Sequence, residues 1–142
     1  SSYIQATIGK SITQLMNRNI ASLSAIAQKK QRSIIGLMSG TSVDGLDIAL
    51  CHITGSGHET TIEVKAFETI PYAPDFKAEI KEVFSKKLVD FEKLTLLNPW
   101  VVLQQSAMIL SFLKKHRIDT TDIDLIASHG QTVYHAPKAL HG

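Results

Sequence analysis

Two short, β-branched and nearly continuous apolar runs, SIIGLM (33–38) and DIALCHI (47–53), stand out along the chain. Runs of this kind predict strands covered on both faces. Gly55 and Gly57 then mark a turn, and TIEVKAFETI (61–70) alternates in the manner of a third strand. Three consecutive strands with short connections imply an antiparallel meander. Pro71 and Pro74 end it, after which Phe76, Ile80, Val83 and Phe84 place one apolar stripe on a helix. A second helical region runs from Phe91 to His116; within it Asn98 and Pro99 read as an N-cap followed by proline at the first helical position, hence as a break and restart. Its later part, WVVLQQSAMILSFL, is apolar on more than half of its circumference, which predicts burial between layers. IDLIAS (123–128) reads as a fourth strand running into HGQTVYH.

This order of elements has a geometric consequence. If the fourth strand lies parallel beside the first, as a right-handed crossover allows, both carboxyl ends point to one edge of the sheet. SGTSVDG (39–45) and HGQT (129–132) would then face one cleft, at the edge where open α/β sheets bind ligands. The expected fold class is α/β, a three-stranded antiparallel meander plus a parallel strand with helices.

SGTSVDG is longer and chemically richer than a turn between antiparallel strands requires. Gly40 and Gly45 would let the backbone take positive φ and approach a ligand, and successive N–H groups in such a loop form an anion-binding concavity. Thr41 and Ser42 add hydroxyl donors, while Asp44 and Asp47 could hold a magnesium ion through its waters. The combination suits the phosphates of a magnesium nucleotide. The competing reading is a polar hairpin whose Ser, Thr and Asp satisfy only their own backbone.

Other chemistries fit less well. The stretch is not a P-loop, because the Lys-Ser/Thr ending is absent and a strand follows, and it is not a Rossmann fingerprint. Ser42, His129 and an aspartate could suggest a serine hydrolase, but GTSVD fails G-x-S-x-G at its last position. His129, His135 and His141 are spaced by six, which matches no usual zinc pattern. With 142 residues, one domain is the natural expectation; 44% apolar and 20% charged residues are ordinary for a globular protein. A net charge of +2 gives no case for nucleic acid, and no apolar stretch approaches the roughly 18 uninterrupted residues of a spanning helix. The lone Cys51 reads as a small core residue.

Residues 1–32 form a distinct opening segment. Ile4, Ile8, Ile12, Leu15, Met16, Leu23 and Ile26 recur at helical spacing, and no acidic residue precedes Asp44. A Ser-rich, acid-poor amphipathic start is also the composition of a mitochondrial transit peptide. Gly9, Asn17 and Asn19 interrupt it and basic residues are sparse, which favours an extra helix lying on the domain.

IGLMSGTSVDGLDIAL, followed further on by IDLIASHGQTVYHAP, resembles the anhydro-N-acetylmuramic acid kinase family, within the larger group of sugar kinases, actins and related chaperones. The first stretch is close to the family pattern M-S-G-T-S-x-D-G-x-D, and the second matches its H-G-Q-T. The resemblance covers residues 33 to about 137. It implies an actin-like, ribonuclease H-like ATPase half-domain over 33–142, with a second domain absent from this chain. It also implies an ATP-dependent kinase that opens the 1,6-anhydro ring of anhydro-N-acetylmuramic acid by water attack and phosphorylates the 6-oxygen, recycling cell-wall fragments in a bacterial cytoplasm. By the same resemblance Gly40, Thr41, Ser42, Val43, Asp44, Gly45, Leu46 and Asp47 form the ATP-binding stretch, with Mg2+ accompanying ATP. His129, Gly130, Gln131 and Thr132 fall on the side of the anhydro amino sugar. Neither nucleic acid nor membrane is an expected partner, and the family leaves room for a homodimer. The presumed catalytic base of the family is an aspartate in a later A-D-F-R-like segment that this chain lacks, so the chain reads as the front piece of a longer protein, inactive alone. The alternative is a non-catalytic nucleotide- or phosphate-binding module of the same superfamily. A reading frame continuing past Gly142 into an Asp-containing segment would favour the kinase.

Overall fold

The computed structural model describes residues 18, 20–84, 86 and 88–131. The expectations for residues 1–17, Thr132, His135 and His141 fall outside the described residues. A short helix, α1 (residues 20–28), precedes strands β1 (Gln31–Ser39), β2 (Gly45–Thr54) and β3 (Thr61–Pro71). Helices α2 (Pro74–Val83) and α3 (Phe91–Lys115) and strand β4 (Leu125–Gln131) follow. The sheet order is β3-β2-β1-β4, antiparallel within the meander and parallel between β1 and β4, with Ile35 opposite Ile126. This is a mixed α/β sheet consistent with an actin-like ATPase half-domain.

The core lies on one face of the sheet. Ile35 and Leu37 of β1 and Leu46, Ile48 and Leu50 of β2 alternate with less buried neighbours and meet Phe76, Ile80 and Val83 of α2 and Leu97, Val101, Phe112 and Leu113 of α3. Burying each large apolar side chain contributes about 1.5–3 kcal/mol. Tyr72, Phe76 and Trp100 stack in series, with ring centroids 4.2 and 5.0 Å apart, and so join the end of β3 to both helices.

The expectation of strands covered on both faces is not met among the described residues: Met38, Ile62, Val64 and Phe67 are exposed. Both helices belong to the single crossover from β3 to β4, which places them on the same face of the sheet. The same reason overturns the burial expected around α3, whose Leu96, Val102, Leu103 and Leu110 are exposed opposite its buried stripe.

Helix α3 is also continuous across Pro99, so the expected break at Asn98–Pro99 does not occur. Its N-cap is Asp90, whose carboxylate accepts the Lys93 N–H at 2.9 Å. Leu97 and Val101, on either side of the proline, are both buried. Their packing holds the helix axis although the proline withholds one N–H from it.

Strand β4 starts two residues later than expected and extends through the second motif. Thr120–Asp122 forms a 3-10 turn capped by Asp119, and the Asp124 carboxylate accepts the Ser33 N–H at 2.9 Å. Asp124 also accepts a hydrogen bond from Lys29, just beyond α1, so one carboxylate ties the approach to β1 to the start of β4. The Lys29 hydrogen bond, with the Ser33 N–H second, holds the Asp124 carboxyl below the ordinary carboxylate range. In α1 itself Ile20 and Leu23 are exposed and Ile26 is half-buried.

Candidate functional site at the carboxyl edge of the sheet

Four strand termini meet at one edge: Ser39 ends β1, Gly45 begins β2, Pro71 ends β3 and Gln131 ends β4. Ser39 pairs with Gln131 in register, and Gly45 with Pro71. Between Leu37 and Ser39 the parallel register slips, with three positions of β4 set against two of β1. Gly130 accommodates this irregularity at φ 75, a conformation in which a side chain is strained. His129, Gly130 and Gln131 therefore sit on the bulged end of a strand, whereas the sequence suggested a loop beyond it.

The connection 40–44 is held from below by Val43. Its side chain is buried while its backbone takes φ 55, an unfavourable conformation for a β-branched residue. The Val43 N–H donates to the Gly40 carbonyl at 3.2 Å, closing the turn. This apolar anchor leaves Thr41, Ser42 and Asp44 exposed at the rim. Among the described residues no protein hydrogen bond engages the Thr41 or Ser42 hydroxyl.

The expected positive φ at Gly40 and Gly45 is not found; the strained position is Val43. Gly45 has a packing role instead, since a Cβ there would stand 2.5 Å from the Ile70 carbonyl oxygen. A Cβ at Gly40 would meet nothing closer than the Ser42 Oγ at 3.8 Å. Leu46 is core.

Asp44 and Asp47 are engaged by different neighbours. Asp44 lies 3.7 Å from the Lys77 ammonium on α2. Asp47 alternates with the buried Leu46 and Ile48, so it lies on the other sheet face, where it accepts the Thr69 hydroxyl at 2.6 Å. Among the described residues no group of three His, Cys, Asp or Glu side chains is placed to hold a metal ion.

Beneath the rim a polar series crosses the core. The Gln105 Nε2 donates to the Tyr72 hydroxyl at 3.2 Å, and Tyr72 donates to the Ser39 Oγ at 2.8 Å. Ser39 in turn donates to the Gln131 Oε1. The Tyr72 N–H also donates to the Asp44 carbonyl at 3.1 Å, so this one residue touches both ends of the 39–44 stretch. A cleft of about 680 Å³ opens beside the series between α3 and β4, with Gln105, Ile126, Ser128 and Gln131 among its walls.

Sequence reasoning did not single out Ser39, Tyr72 or Gln105. A signal for Gln105 existed: Leu97, Val101 and Gln105 share one stripe at intervals of four, so a polar side chain was due to be buried there. Tyr72 has no comparable signature, because its partners come from three other elements.

The family model for anhydro-N-acetylmuramic acid kinase matches residues 32–142. The anhydro-N-acetylmuramic acid kinase of Pseudoalteromonas atlantica is 54% identical over 127 residues, covering 89% of this chain and 32% of that relative. That of Pseudoalteromonas translucida is 50% identical over 126 residues, 89% of this chain and 31% of the relative. That of Caldanaerobacter subterraneus is 40% identical over 113 residues, 80% of this chain and 28% of the relative. The chain thus spans about a third or less of the length of these relatives.

Proposed function

The chain belongs to the anhydro-N-acetylmuramic acid kinase family, and on that premise we propose that it forms the phosphate-binding side and part of the sugar-binding side of an ATP-dependent carbohydrate kinase. In this reading water attacks the anomeric carbon of an anhydro-N-acetylmuramic acid and the bond from that carbon to the 6-oxygen breaks. The 6-oxygen takes the γ-phosphoryl group, ADP leaves, and the water proton passes to a base. The product would be N-acetylmuramic acid 6-phosphate, and on this reading the reaction belongs to peptidoglycan recycling in the cytoplasm.

The observation that carries the reading is the union of the two motifs at one sheet edge, through the Ser39–Gln131 hydrogen bond. Phosphoryl transfer depends mainly on positioning and charge stabilisation, and a loop and a strand end sharing a rigid hydrogen-bonded root offer that. Thr41 and Ser42 donate hydroxyl hydrogen bonds to ATP phosphate oxygens, with Gly40 leaving room for their approach. Val43, Gly45 and Leu46 shape the loop from below. A magnesium ion accompanying ATP would neutralise phosphate charge, and Asp44, exposed at the rim, fits a contact to its waters. Asp47 does not fit this role, since it lies on the far face and is bonded to Thr69. His129, Gly130 and Gln131 take the sugar side. The water-activating base is neither Asp44, which faces Lys77, nor Asp47.

The test is to assay ADP and sugar-phosphate formation by the 142-residue chain beside the full-length protein. The expected result is turnover by the full-length protein and none by the chain alone. Turnover by the chain within about tenfold of full length, a barrier difference of about 1.4 kcal/mol, would place the base within these residues. A full-length protein that binds ATP but phosphorylates no anhydro sugar would favour a non-catalytic nucleotide-binding module.

A further inference from the structure

Tyr72 and Gln105 belong to neither sequence motif, yet a buried series of hydrogen bonds runs from Gln105 through Tyr72 and Ser39 to Gln131. Tyr72, Ser39 and Gln105 are all buried, which strengthens the hydrogen bonds between them. A hydroxyl has one hydrogen to give, which makes the series directional. Because Gln105 presents its N–H to the Tyr72 oxygen, the Tyr72 hydrogen goes to Ser39. The Ser39 hydrogen then goes to the Gln131 carbonyl oxygen. Oε1 of Gln131 is thereby committed to Ser39, which fixes that end of the amide. Were Gln105 to accept instead, every bond would reverse and Gln131 would give Nε2 to Ser39.

We infer that Tyr72 and Gln105 are positioning residues, setting through Ser39 which amide atom of Gln131 meets the substrate. The inference rests on the proposed sugar-side role of Gln131. Tyr72 suits the task because its ring is clamped against Phe76, with centroids 4.2 Å apart, and its backbone N–H is held by Asp44. The hydroxyl therefore stays in register with both motifs at once.

The test uses the full-length protein and two variants. Tyr72→Phe keeps the stacked ring and cuts the series, while Gln105→Glu replaces the terminal N–H donor with a carboxylate that accepts from Tyr72. Both are expected to raise the KM for anhydro-N-acetylmuramic acid by about fivefold to tenfold, the worth of one neutral hydrogen bond, with the KM for ATP unchanged. A purely structural role would lower the active fraction, and so kcat, without separating the two KM values. A second readout is independent of turnover: the side-chain NH2 resonances of Gln131 in glutamine-labelled protein should shift in Tyr72→Phe relative to wild type. If Gln131→Ala raises the sugar KM while Tyr72→Phe and Gln105→Glu leave it unchanged, the inference is overturned. If the wild-type protein turns over no anhydro sugar, the proposed function fails separately, and the Gln131 resonances decide the positioning. Identical resonances in Tyr72→Phe and wild type would overturn it.

Discussion

Replacing Gly45 with alanine sets a new Cβ 2.5 Å from the Ile70 carbonyl oxygen and 3.2 Å from the Pro71 Cα, both backbone atoms of the neighbouring strand. No side-chain rotation can relieve such a contact, so β2 and β3 must separate where Gly45 pairs with Pro71. Overpacking of this kind costs about 1–3 kcal/mol, offset by about 0.4–1 kcal/mol from the reduced freedom of the unfolded chain. The net loss expected for Gly45→Ala is thus about 1–2 kcal/mol. Gly40→Ala is the matched control within the same motif: its Cβ stands 3.8 Å from the Ser42 Oγ, an ordinary contact, and its stability should stay within about 0.5 kcal/mol of wild type. Urea-induced unfolding followed by circular dichroism measures both, with an unchanged m-value required for the comparison. Activity separates the pair in a second way. In the full-length protein Gly40→Ala should raise the KM for ATP with little change in stability, because the added methyl occupies the space a phosphate would enter. Equal unfolding midpoints for the two variants would refute the packing role assigned to Gly45, and native ATP kinetics in Gly40→Ala would refute the phosphate role assigned to Gly40.

Other expected outcomes concern the fold. Asp124→Asn should lower stability at neutral pH, since the carboxylate holds both Lys29 and the Ser33 N–H. The folded-state pKa of Asp124 is depressed, so its contribution is fully present above the unfolded value of about 3.9 and is lost as pH falls through the lower folded value. The gap between wild type and Asp124→Asn in thermal unfolding should accordingly be constant near neutrality and close in acid; a gap that widens in acid would contradict this assignment. Pro99→Ala should stabilise the protein by about 1–3 kcal/mol, because the proline lies inside a continuous helix. An unchanged urea midpoint would mean that the helix restarts at Pro99.

Much of the topology was legible in the chain. Alternation and short connections identified the meander, and a right-handed crossover allowed β4 to lie parallel beside β1, an arrangement that brings both motifs to one edge. The pairing of Ile35 with Ile126 and of Ser39 with Gln131 realises that arrangement. These features follow from periodicity and chirality, which act locally or on whole elements. The residues that respond only to tertiary contacts were not legible. Asn98–Pro99 carried a local signal for a helix start, but packing of Leu97 and Val101 overrode it. Gly40 and Gly45 look alike in the motif, and only the approach of Ile70 separates their roles.

Sequence alone therefore determined the strands and the two motifs, because each is written in residues a few positions apart. Tertiary structure decided how the motifs are held. Gln105 and Tyr72 are separated by 33 residues, Tyr72 and Ser39 by 33, and Ser39 and Gln131 by 92. Such a series exists only once α3 and the ends of three strands have docked on one another, since no local pattern records which buried hydroxyl will find which amide.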